Sequence, residues 1–139
     1  MNTTMHTQTV ETTRPSKALN IAAWVLSGPL ALMMIMAGTS KLRGVPMMVG
    51  LFEAIGVGQW FRYVTGGLEV LGAALLFVPR LSGVGATLLA GVMAGAVATH
   101  IFIVGGSFVV PLTLLAAAAF IAYVRRDRTL ALLGARSGS

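Results

Sequence analysis

The stretch from Ala18 to Ser40 carries no charged side chain from end to end, and nothing else in the sequence restricts the fold as much. As an α-helix rising about 1.5 Å per residue, it is long enough to cross about 30 Å of bilayer hydrocarbon. In water it would have to be covered on every side, and this chain has little to cover it with. Of its 139 residues 56% are apolar and 10% charged, where soluble domains carry about 25% charged residues. Lipid tolerates such a surface. In lipid every backbone polar group must be satisfied within the segment, which calls for helices.

Three further apolar runs follow. The predicted fold is all-α: a polytopic membrane protein with spans at about 18–40, 62–78, 81–104 and 108–124, forming an up-down bundle of four transmembrane helices. Residues 1–17 are polar and Thr-rich and read as a disordered tail. Residues 126–139 read as a basic tail near the membrane surface, leaving 18–125 as the transmembrane domain. The first run exceeds the apolar core of a signal peptide, and Ala37-Gly38 makes a poor cleavage site, so it reads as a retained span. Between the first two spans, Met47, Met48, Leu51, Phe52 and Ile55 recur at helical spacing among glycines, which predicts a short interfacial helix. Pro79-Arg80 ends the second span, and Gly105-Gly106-Ser107 marks the turn before the fourth.

The basic residues fix an orientation. Arg14, Lys17, Arg80, Arg125, Arg126, Arg128 and Arg136 fall on one side of the four spans; Lys41, Arg43 and Arg62 fall on the other. The positive-inside rule puts both termini in the cytoplasm. The net charge of +6 is thereby explained by topology, and no nucleic-acid partner is expected. The bases lie at the ends of apolar runs, not in a stripe interleaved with aromatics.

An ionisable group inside lipid costs several kcal/mol unless it is paired, solvated or neutral. Lys41, Glu69 and His100 are the residues to which this applies. At helical rise, Glu69 lies about 10 Å and His100 about 6 Å below the boundary at which the first span, carrying Lys41, ends. The three therefore share one half of the bundle whichever way it is inserted. They outline a polar pocket, a candidate ligand site, with Thr65, Thr99 and Ser107 as hydrogen-bond partners around it. The plainer alternative is that Lys41 and Glu69 only pin the first two spans together. Small residues at four-residue spacing in the third span, Gly91 and Gly95 among them, provide a helix-packing face, used within one chain or in a homodimer. No catalytic residue can be named. No metal site is expected, since the sequence has no cysteine and only two histidines, His6 and His100.

The sequence resembles the DoxX-like family of small membrane proteins. The likeness rests on Ala37-Gly38-Thr39-Ser40-Lys41-Leu42 at the end of the first helix and Gln59-Trp60-Phe61-Arg62-Tyr63 before the second. It continues through Thr65-Gly66-Gly67-Leu68-Glu69-Val70-Leu71-Gly72, Pro79-Arg80 and His100, covering about residues 18–125. The resemblance implies a four-helix protein of the plasma membrane associated with redox work. Relatives include a subunit of a thiosulfate:quinone oxidoreductase and a membrane partner in an oxidative-stress complex. It implies an accessory subunit, not catalytic alone, beside a redox-enzyme partner, and it admits a quinone between Lys41 and His100. A non-catalytic scaffold or assembly factor is the alternative. A proton-coupled exporter is a third reading: small multidrug transporters have four helices and one membrane glutamate. Theirs lies in the first helix, and here the first span has no acid.

Overall fold

The computed structural model describes residues 16–137, with side chains described as far as residue 132. The expected tail over 1–17, and His6 within it, lie outside the described residues except for Ser16 and Lys17. Helices account for the chain, and no strand occurs among the described residues.

Helix α1 (Lys17–Arg43) opens where the Ser16 hydroxyl accepts the Leu19 N–H, satisfying one of the donors that a helix start leaves orphaned. It runs unbroken through Pro29. It stops at Gly44, whose φ of 70° is the left-handed conformation only glycine adopts cheaply; the Val45 N–H then reaches back to the Ser40 carbonyl. Helix α2 (Pro46–Ile55) is the short amphipathic helix expected from its spacing, with proline in its first turn. Helix α3 (Gln59–Leu76) follows. Helix α4 (Ser82–Thr99) continues as a π-helical segment (His100–Val104), then a glycine turn leads to α5 (Val109–Val124). Residues 126 onward, expected as a tail, form a helix, α6 (Arg126–Ser137), bent 61° away from α5.

Helix α1 packs against α3, α3 against α4, α4 against α5, and α5 closes back on α1; α2 lies against α3 and the π segment. The contacts show consecutive partners running antiparallel. The end of α1 at Gly38 meets Gly66 near the start of α3, Gly72 of α3 meets Gly85 of α4, and Arg125 after α5 meets Ser82 at the start of α4. One end of the molecule thus carries Lys41, Arg62 and the π segment, and the opposite end carries Trp24, Arg80 and Arg125.

The core is narrow and built of small or flexible side chains, among them Ala23, Ala31, Met34, Ala73, Ala86 and Ala118, all fully buried. The outer surface is apolar: Val25, Leu32, Leu71, Phe102 and Val109 are more than half exposed. This inverts the soluble arrangement and suits a lipid solvent. By length and composition, α1 and α4 with its π extension can each cross a membrane; α5 and α6 qualify if the bent pair counts as one span.

Candidate functional site

Lys41, in the last turn of α1, and Glu69, midway along α3, form the ion pair that joins these helices. The Lys41 ammonium donates to both carboxylate oxygens, at 2.8 and 2.9 Å. The Glu69 side chain is 2% exposed and the Lys41 side chain 13%. The two meet because the backbones beneath them touch. A Cβ built on Gly38 would lie 2.8 Å from the Gly66 carbonyl oxygen, and one built on Gly66 would lie 2.9 Å from the Gly38 oxygen. Any larger residue at either position would force α1 and α3 apart and open the pair.

Arg62 completes this end. Its Nη1 donates to the Lys41 carbonyl, its Nε to Gln59 Oε1 at 2.8 Å, and its guanidinium stacks 4.4 Å from the Tyr63 ring centroid. A cation on the last carbonyls of α1 satisfies acceptors that the helix cannot pair itself and complements the negative end of its dipole. Arg62 therefore fixes the residue that carries the ammonium. It is buried, although in the sequence it counts only as one positive charge outside a span.

An ammonium has three N–H donors, and Glu69 takes two. The third N–H of Lys41 has no acceptor among the described residues. His100 opens the π segment at the same end, and its Nδ1 lies 2.8 Å from the Ala96 carbonyl oxygen. A carbonyl can only accept, so Nδ1 carries the proton and Nε2 of the neutral ring is an acceptor. No hydrogen bond joins His100 to Lys41 or Glu69 among the described residues. The three hydroxyls expected around the pair are turned to local use. Thr65 bonds the Phe61 and Arg62 carbonyls, Thr99 bonds the Gly95 carbonyl, and Ser107 accepts the Val109 N–H.

The packing face expected at Gly91 and Gly95 lies outward, where a Cβ on either would meet nothing within 4 Å. Close helix contacts within the chain are made by Gly38, Gly66, Gly72, Gly83 and Gly85 instead. No group of three or more His, Cys, Asp or Glu residues that could hold a metal occurs among the described residues.

An all-helical chain with membrane-length apolar helices, held at one end by a buried lysine–glutamate pair, is a small integral membrane protein. The chain belongs to the DoxX-like family, whose model matches residues 25–124, the part that contains the ion pair and every helix contact around it. No curated protein and no solved structure matches the chain.

Proposed function

We propose that the chain is an accessory subunit of a membrane redox system, crossing the plasma membrane four times with both termini in the cytoplasm, and that Lys41 is the contact point for a lipophilic carbonyl compound, a quinone by preference. The observation that carries this reading is the uncommitted N–H on a charge-paired ammonium. A lysine whose charge is already balanced by Glu69 can donate to a neutral carbonyl without bringing an uncompensated charge into the bilayer. The acceptor nitrogen of His100 at the same end suits the hydroxyl of the reduced form. Helix α3 is the span that needs argument, because it holds Arg62 and Glu69. Glu69 is ion-paired with Lys41 of α1 and Arg62 is hydrogen-bonded to the Lys41 carbonyl and to Gln59, and at about 1.5 Å per residue the helix's 18 residues reach about 27 Å.

The test is mass spectrometry of small molecules retained by gently purified protein, wild type beside Lys41→Met and Glu69→Gln. Ubiquinone or menaquinone held by the wild type and lost from Lys41→Met is the expected result. A second reading has its own observation behind it: both Glu69 oxygens are already taken, as in a purely structural clamp. On that reading the protein is a scaffold for a partner, nothing is retained, and the substitutions change stability alone. A co-purifying oxidoreductase favours the first reading only if its activity depends on Lys41 or Glu69. The exporter reading would require Glu69-dependent proton release on addition of a lipophilic cation.

A further inference from the structure

The end of the molecule opposite the ion pair carries a second charged assembly, with Arg80, Arg125, Arg126 and Arg128 beside one acid, Asp127. Arg125 is 2% exposed, packed with its guanidinium 4.1 Å from the Trp24 ring centroid and Nη1 donating to the fully buried Ser82 hydroxyl at 3.1 Å. Its Nε and Nη2 are buried without an acceptor among the described residues. A guanidinium keeps its charge in proteins, so a positive charge is held inside the fold at this end. Ser82 and Arg128 both donate to the Pro79 carbonyl, at 3.1 and 2.7 Å, which ties Arg125 to the turn between α3 and α4. Beside that turn lies a cavity of about 230 Å³ lined by Arg80, Arg128, Ala131 and Leu132. Arg80 is exposed.

Two arginines and two apolar side chains line this cavity together. The guanidinium fork matches phosphate oxygens in pairs. A free phosphate has no use for the apolar side chains, whereas a phospholipid presents a phosphate continuous with hydrocarbon. We propose that this cavity binds the headgroup phosphate of an anionic phospholipid between Arg80 and Arg128, with the charge of Arg125 at the same end adding to the local positive potential. The site stands apart from Lys41 and does not depend on the quinone reading; its failure would leave that reading untouched.

The test uses the full chain in neutral detergent and native mass spectrometry with three probes: short-chain phosphatidylglycerol, short-chain phosphatidylcholine of equal chain length, and inorganic phosphate. Phosphatidylglycerol should be held about tenfold or more tightly than phosphatidylcholine, the effect of one charge-assisted contact. Arg80→Gln should remove that preference without lowering the melting temperature, because Arg80 is exposed. Arg126→Gln removes the same charge nearby, but Arg126 does not line the cavity, so the preference should survive. Equal binding of the two lipids would overturn the proposal. So would an equal loss in Arg126→Gln, which would show diffuse attraction to a basic surface. Displacement of phosphatidylglycerol by inorganic phosphate at comparable concentration would assign the cavity to free phosphate and overturn the lipid.

Discussion

At the scale of the residue, the informative quantity is the cost of stranding one member of the Lys41–Glu69 pair. Removing one partner of a buried pair costs about 3–5 kcal/mol, whereas replacing both by apolar groups of similar volume is often neutral. Lys41 keeps some exposure, so the lower part of that range applies. Lys41→Met should therefore destabilise the protein by about 3 kcal/mol in detergent–SDS unfolding, and Lys41→Met with Glu69→Leu should recover most of the loss. An additive double variant would mean that the two side chains do not interact as drawn. Lys41 and Glu69 were legible in the sequence because an ionisable residue within an apolar run has to be explained by a partner. Arg62 and Arg125 were not. Each stands at the edge of a span, where arginines are ordinary topology markers, and nothing in the string separates a solvated arginine from one folded back onto a helix terminus or an indole ring. His100 was legible as polar, but its bond from Nδ1 to the Ala96 carbonyl was not.

At the scale of the element, the apolar runs marked the helices up to α5 but not α6, and the close contacts between helices were not legible. Four-residue spacing of small residues picks out Gly91 and Gly95, yet spacing cannot tell which face of a helix turns inward. Gly72 and Gly85 form the close contact between α3 and α4, and a Cβ on Gly85 would lie 2.8 Å from the Gly72 carbonyl oxygen and 3.1 Å from the Leu76 amide nitrogen. Backbone atoms cannot step aside as a side-chain tip can. Gly85→Ala should cost about 1–3 kcal/mol, the usual range for overpacking, in the same SDS titration that leaves Gly91→Ala unchanged. Equal behaviour of the two would refute the packing described for α4. Should Gly91→Leu shift the oligomeric state in crosslinking, the outward face serves a second copy of the chain. The π segment had no signal at all: His100-Ile101-Phe102-Ile103-Val104 reads as ordinary apolar helix. Such segments recur at functional sites in proteins generally.

At the scale of the whole molecule, the open question is how many times the chain crosses the bilayer, and α3 decides it. Two helices pass on length and composition alone, a third if α5 and α6 count together. Helix α3 falls short because a hydropathy average charges it in full for Arg62 and Glu69, although Glu69 is ion-paired and Arg62 is hydrogen-bonded to α1. If pairing lets it cross, the connections alternate sides: Val57 and Ser107 on one, Val78 and Ala131 on the other. The sequence contains no cysteine, so single substitutions at these four exposed positions provide unique labelling sites without any background to remove. With both termini cytoplasmic, an impermeant maleimide should label Val57→Cys and Ser107→Cys in intact cells, and Val78→Cys and Ala131→Cys only after permeabilisation. Labelling of Val57→Cys and Val78→Cys from the same side would mean that α3 does not cross, and the Lys41–Glu69 pair would then lie at the membrane surface, where a charged pair needs no special purpose. Labelling in the opposite sense at all four positions would keep the crossings and reverse the molecule. The Arg80–Arg128 cavity would then face outward, and the positive-inside count would have been outweighed.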